Sequence, residues 1–314
     1  MRTRRIGSLA VSVVGLGCNN FGWRIDEAAT RRVVDAALDA GITFFDTADI
    51  YGGTKSEEFL GRALGSRRGG VVIASKFGME VAPGKKGARP EYVTQAAEDS
   101  LRRLGTDHID LYQLHQPDAS VPIADTLGAL DDLVRAGKVR EIGCSNFSGA
   151  QLHEAEAAAL QHDTGRRARF VSVQNEYSLL HREAEAEVLP ECERLGLAFL
   201  PYFPLASGLL TGKYRAGVAA PEGARLAGGG GLASRFGRDM TPEGFKRLDR
   251  LSAVATRHGR ALLDLAFAWL LARPVVASVI AGATSESQIR ANAATSGFTL
   301  TKQDLDEIDQ ILAG

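Results

Sequence analysis

Apolar residues in this chain fall into short runs that alternate with longer amphipathic stretches. Eight runs read as strands: VSVVGLG (11–17), ITFFD (42–46), VVIASK (71–76), IDLYQLH (109–115), EIGCS (141–145), VSVQN (171–175), AFLPY (198–202) and ASVIAG (277–282). Between them the hydrophobic period lengthens to that of a helix. Residues 26–41 place Val33, Ala37 and Leu38 on one face, with Asp26 set to cap the first turn and Gly41 to stop the last. Comparable blocks cover 90–104, 123–136, 148–160, 183–195 and 262–271, and another helix is expected to start soon after Gly53. The tail TKQDLDEIDQILAG puts Leu305, Ile308 and Leu312 on one face behind a Thr301 cap.

From Asp46 to Tyr202 the strand ends recur about every thirty residues, the length of one βα unit. Eight such units predict a closed (β/α)8 TIM barrel, entered by an N-terminal β-hairpin, followed by a C-terminal helix, and occupying residues 1–314 as a single domain. An open doubly wound sheet would carry fewer strands and a dinucleotide loop after the first. Here Gly15-Leu16-Gly17 followed by Gly22 misses the G-x-G-x-x-G spacing. GLLTGKY (208–214) fails as a Walker A loop, with Tyr214 where Ser or Thr should bind magnesium. The interval 215–239, rich in Gly and Ala, is expected to be a long functional or mobile loop.

Composition narrows the function classes. The 314 residues are 45% hydrophobic and 24% charged, with a net charge of −1, which suits a globular protein and disfavours nucleic acid as a partner. No segment is long enough to span a membrane. The opening MRTRRIGSLAVSVVGLG has the basic-then-apolar order of a secretion signal, but Gly7 and Ser8 interrupt it and no A-x-A site follows, so it is expected to be the hairpin of a mature chain. Cys18, Cys144 and Cys192 lie far apart with no C-x-x-C pair, which argues against disulfides and a metal site and for a reducing, cytoplasmic setting.

Placing the strands brings out the chemistry. Asp46 ends the second strand, Lys76 the third and His115 the fourth; Ser145 and Asn146 follow the fifth, Gln174 and Asn175 close the sixth, and Tyr202 ends the seventh. In a parallel barrel these ends share the face that carries catalysis. Alternation puts Asp46 in phase with Phe44, Lys76 with Ala74 and Val72, and His115 with Gln113 and Leu111, so all three can point into the mouth. An unpaired carboxylate there would be costly, and Lys76 is the expected partner of Asp46. Tyr51, held in a turn by Gly52 and Gly53, has a phenol with an ordinary pKa of about 10. An ammonium ~4 Å away would favour its phenolate by at most ~4 kcal/mol, so Lys76 is expected to pull Tyr51 toward neutrality and make it a general acid. His115, as neutral imidazole, would orient a substrate carbonyl. No side chain supplies a hydride, so a reduction needs a cofactor.

These motifs resemble the aldo-keto reductases over nearly the whole chain. FFDTADIYG (44–52), VIASKFG (72–78) and LYQLHQPD (111–118) are similar to the family's segments for a catalytic Asp, Tyr, Lys and His, which fall here on Asp46, Tyr51, Lys76 and His115. The resemblance implies reduction of an aldehyde or ketone with NADPH on a TIM barrel. IGCSNF (142–147) resembles the segment whose Ser145 and Asn146, with Gln174, hold the nicotinamide, and Asp46 borders the same ring. YFPLASGLLTGKY (202–214) is similar to the stretch where Tyr202 stacks on the ring and Pro204, Leu205, Gly208 and Lys213 line the pyrophosphate path; Phe203 replaces a common Ser. VIAGATSESQIRANAA (279–294) resembles the adenosine segment, with Gly282, Gln288 and Asn292 at matching positions. Where many members place a basic residue for the 2′-phosphate, this chain has Gly282-Ala283-Thr284, which leaves that contact to Lys213 or Arg225, as in relatives resembling potassium-channel β subunits. NADPH is therefore expected, with NADH as the alternative, and Trp23 and Phe77 are expected to wall an apolar pocket for a small carbonyl substrate. Two rival readings make Lys76 a Schiff-base nucleophile in an aldolase-like barrel, or the chain a nucleotide-sensing regulatory partner.

Overall fold

The computed structural model describes residues 1–160, 168–222, 224–227, 236–237 and 239–313. Strands β1 (Thr3–Ile6) and β2 (Leu9–Ser12) form an antiparallel hairpin with Ile6 opposite Leu9. Eight parallel strands follow: β3 (Val14–Gly17), β4 (Phe44–Asp46), β5 (Val72–Phe77), β6 (Ile109–Leu114), β7 (Val139–Ser145), β8 (Phe170–Glu176), β9 (Ala198–Tyr202) and β10 (Val279–Gly282). Their order is β10-β3-β4-β5-β6-β7-β8-β9. The outer pair meet where the Phe199 amide donates to the Val275 carbonyl (2.7 Å) and the Ala277 amide to the Phe199 carbonyl (3.1 Å). The sheet therefore curls into a nearly closed (β/α)8 TIM barrel.

The run 11–17, expected as one strand, is divided at Val13. Ser12 ends the hairpin, its hydroxyl donating to the Val14 carbonyl at 2.7 Å while its amide donates to Thr43 Oγ1 at 3.1 Å. These bonds satisfy the polar groups of the corner where the chain passes from hairpin to barrel. The hairpin then seals the barrel floor: Ile6, Leu9 and Val11 pack with Phe44, Val72, Leu111, Leu200 and Ile280 in an inner core. Arg4 fastens it from outside, donating to the carbonyls of Leu271 (2.7 Å), Arg273 (3.0 Å) and Val276.

Helices α1 (Glu27–Asp39), α2 (Lys55–Leu64), α3 (Pro90–Leu104), α4 (Ile123–Arg135), α5 (Gly149–Leu160) and α6 (Val188–Leu195) cover the strands. Asp26 caps α1, accepting from the Ala29 amide at 2.8 Å. The helix expected over 183–195 is a 3-10 turn, Glu183–Glu185, followed by α6, because Pro190 fits only within a first helical turn. Beyond β9 come a 3-10 segment (Ala206–Thr211), α7 (Pro242–Arg257), α8 (Leu262–Leu271), α9 (Glu286–Ala294) and α10 (Lys302–Ala313). The sequence pattern does not place α7. Much of the expected 215–239 loop (223, 228–235 and 238) lies outside the described residues. A reciprocal Thr301–Asp304 capping box starts α10, with Ile308 buried and Leu305 and Leu312 flanking it against the core. Among the described residues no helix is long and apolar enough to cross a membrane, and no cluster of His, Cys, Asp or Glu could hold a metal ion. Cys18, Cys144 and Cys192 are buried and free.

Candidate active site

Strand register brings the polar strand ends together. Asp46 stands beside Ala74 of β5, and Lys76 beside Gln113 of β6. Lys76 Nζ donates to Asp46 Oδ1 at 2.6 Å and to the Thr47 carbonyl at 2.9 Å. The other carboxylate oxygen accepts from Gln174 Nε2 at 2.8 Å, across the mouth, and from Gln113 Nε2 at 3.4 Å. Both oxygens of a carboxylate at the end of a buried strand are thus satisfied, as burial of a charge requires.

Tyr51 leans over this pair. Its ring centre is 5.2 Å from Lys76 Nζ, and it meets His115 edge to face, with centroids 5.8 Å apart. The turn depends on Gly52: at φ +59° a Cβ there would lie 2.2 Å from the Phe21 carbonyl oxygen.

Burial sets the charge states. It drives the His115 imidazole down to about 3, helped by the Lys76 ammonium, so His115 is neutral over the physiological range. Its Nδ1 is buried with no partner among the described residues. Burial works against the Lys76 ammonium, but Asp46 and Tyr51 more than compensate and hold it above the ordinary lysine value. For Tyr51 the outcome differs from the expectation. Burial raises the phenol above 10, Lys76 pulls it back only in part, and Asp46 adds to the rise. Tyr51 therefore keeps its proton at neutral pH.

A second group closes the mouth opposite. Ser145 Oγ donates to the Gln174 carbonyl at 2.7 Å; Asn146, at φ +64°, donates from Nδ2 to the His115 carbonyl at 2.9 Å and accepts from the Tyr202 hydroxyl at 2.8 Å. Beyond Tyr202 the chain adopts left-handed backbone at three non-glycine residues, Phe203 (φ +49°), Ala206 (+44°) and Ser207 (+55°), a costly conformation concentrated at functional segments.

From here a cavity of about 610 Å³ runs along the mouth, passing Pro204, Leu205, Gly208 and Lys213 to Gly282, Gln288 and Asn292. Arg225 crosses it, donating to Asn20 Oδ1 (2.9 Å) and Asn19 Oδ1 (3.2 Å) from a position 205 residues away along the chain. Burial, then Arg24, lowers Arg225 below the usual arginine range; burial, then Arg225 and Arg24, lowers Lys213. Asp46, already paired with Lys76, is the one carboxylate among the described residues that line the cavity. Three cations, Arg24, Lys213 and Arg225, therefore face space suited to an anion. Two further features fit a phosphate-bearing group there. Ser207 Oγ is buried without a partner among the described residues, and a Cβ on Gly282 would crowd Arg225 and Asn20 at 3.1 Å.

Two expected substrate residues stand elsewhere. Lys76 faces inward, so Phe77 faces outward; it is buried against the helices and stacked on Tyr112, with centroids 4.8 Å apart. Phe77 therefore does not wall the cavity. Trp23 is 63% exposed and outside the lining, while Met79 borders the cavity near His115. Asn19, Asn20 and Arg24 went unnoticed in the sequence, although they follow β3 as Asp46 ends β4, and the same strand-end logic could have found them. Ser207 carries no such signal.

The aldo/keto reductase family model matches residues 13–313. The chain is 36% identical to the uncharacterized oxidoreductase YrpG of Bacillus subtilis, over 98% of this chain and 94% of that protein. It is 34% identical to the aldo-keto reductase YhdN of the same organism (97% and 91%) and 34% identical to a probable voltage-gated potassium channel subunit beta of Arabidopsis thaliana (99% and 97%). By its motifs, its barrel and these matches, the chain belongs to the aldo/keto reductase family.

Proposed function

We propose that this protein is an oxidoreductase that reduces an aldehyde or ketone to an alcohol, with NADPH as reductant and Tyr51 as proton donor. The observation that carries the reading is the placing of Tyr51, the Lys76–Asp46 pair and neutral His115 at one end of a cavity whose other end is cationic. The dinucleotide, when bound, supplies the hydride. Ser145, Asn146, Gln174 and Tyr202 would hold its nicotinamide end and Lys213, Arg225 and Arg24 its phosphates, with Arg225 the chief candidate for the 2′-phosphate.

The chain's own residues handle the proton. His115, neutral and without charge to spread, can donate one hydrogen bond to the carbonyl oxygen and fix its angle. As negative charge grows on that oxygen, the Tyr51 hydroxyl gives up its proton, and the nearby Lys76 ammonium stabilises the phenolate left behind. Asp46 keeps Lys76 charged and in place. The same charge argues against Lys76 as a Schiff-base nucleophile, which must be neutral to attack. Three buried free thiols suit a reducing, cytoplasmic setting.

The test is a paired assay of NADPH and NADH oxidation against a panel of aldehydes and ketones, with wild type and Tyr51→Phe. The variant is expected to lose turnover by about 10²- to 10⁴-fold with dinucleotide binding nearly intact; full reduction without the hydroxyl would refute Tyr51 as the acid. The likeness to the Arabidopsis protein supports one second reading, a regulatory nucleotide-binding subunit. Tight NADPH binding with no turnover of any carbonyl would favour it.

A further inference from the structure

Three residues beyond Asp46 lies a second buried acid for which the proposed chemistry has no use. Asp49 is 1% exposed, and neither carboxylate oxygen has a hydrogen-bond partner among the described residues. Its backbone is tied to the site. The Thr47 amide donates to the Ala74 carbonyl (2.8 Å) and the Asp49 amide to the Lys76 carbonyl (3.1 Å), so residues 46–49 continue the β4–β5 ladder up to the turn that presents Tyr51. The side chain points away from the mouth, into the layer between barrel and helices.

The groups facing it come from four elements. Glu57 of α2 accepts from Ser75 Oγ at 2.5 Å and from Arg103 Nε of α3 at 2.6 Å, so the one nearby guanidinium is committed to another carboxylate. Tyr112 of β6 brings a buried hydroxyl that also lacks a partner. Lys76 of β5 is engaged with Asp46, and Tyr92 of α3 feels the charge of Asp49 itself, then those of Arg103 and Asp99. An ionised Asp49 would thus repel the Glu57 carboxylate beside a guanidinium already committed to Glu57, with no side-chain hydrogen bond among the described residues to hold it; a neutral one would not.

We propose that Asp49 is a positioning residue that must keep its proton for the 46–51 turn to hold Tyr51 against β5. The inference rests on the reading of Tyr51 as the acid. Burial, followed by the Glu57 carboxylate, lifts the Asp49 carboxyl from 3.8 to about 7; Arg103, the Ile50 amide and Lys76 oppose this and lose. The proton is therefore held more tightly folded than unfolded. Its contribution to stability is whole below pH 3.8 and is lost as pH rises through about 7. In the same window the ionised carboxylate, repelled by Glu57, is expected to loosen the Tyr51 turn.

The test compares wild type, Asp49→Asn and Glu57→Gln. In wild type kcat/KM for carbonyl reduction should fall in a step near pH 7. Asp49→Asn should keep the low-pH rate and lose the step, whereas Glu57→Gln, which leaves Arg103 to favour Asp49 ionisation, should move it to lower pH. Thermal unfolding gives a readout independent of turnover: the wild-type midpoint should fall between about pH 4 and pH 7 and level off above, and the Asp49→Asn midpoint should fall less. An intact step in Asp49→Asn, a uniform rate change at every pH, or unfolding midpoints that run parallel would overturn the proposal. If wild type reduced no carbonyl, the proposed function would fail by itself, and the unfolding curves would still decide whether Asp49 titrates as described.

Discussion

The two ends of the barrel use the same strands for opposite purposes. At the floor, Phe44, Val72, Leu111 and Leu200 pack against Ile6, Leu9 and Val11 of the hairpin. At the mouth, two to four residues along the same strands, stand Asp46, Lys76, His115 and Tyr202. Each strand therefore carries its apolar payload first and its chemistry last. The mouth keeps its ammonium and its carboxylate in place by pairing them with each other and with the Thr47 carbonyl and the Gln113 and Gln174 amides.

Substitutions can break or sharpen that contrast. The largest effect is expected at Lys76→Met, which leaves Asp46 buried with only amide donors. Turnover should fall at least ~100-fold and urea unfolding should show a loss of about 3 kcal/mol, since a buried charge stripped of its partner is strongly destabilising. Next comes the floor, where Ile6→Ala should cost about 2–4 kcal/mol in the same unfolding experiment while kcat/KM stays close to wild type. A floor substitution that damaged turnover as severely as Lys76→Met would end the division of labour. The smallest effect belongs to the far end of the cavity: Arg225→Ala should weaken NADPH about tenfold by titration calorimetry, the loss of one charge-assisted contact, and NADH less. Equal losses for both would remove the 2′-phosphate from Arg225.

Much of this was legible in the sequence because the signals are local. The period of each apolar run needs only its own residues, and so does the place where it ends on Asp46, Lys76 or His115. The inward phase of Lys76 also implied an outward Phe77, so the expected pocket wall there conflicted with the strand's own alternation. Other features were out of reach. Nothing near Val13 announces that VSVVGLG breaks into hairpin and barrel, since the bond that turns the corner comes from Thr43. Arg225 reaches Asn19 and Asn20 across two hundred residues.

Asp46 and Asp49 mark the boundary most clearly. By itself the sequence determined that Asp46 ends an apolar strand in a βα unit, and that strand alternation sends it inward toward the other strand ends; it singled out nothing at Asp49. Tertiary structure alone decided that Asp46 meets an ammonium and two amides, while Asp49 meets a carboxylate whose guanidinium is already engaged. It also decided that burial outweighs Lys76 at Tyr51, reversing the expected direction of its shift. The reason is physical: secondary structure follows from periodicity along the chain, whereas charge states follow from desolvation and distance, which are set by residues far apart in sequence.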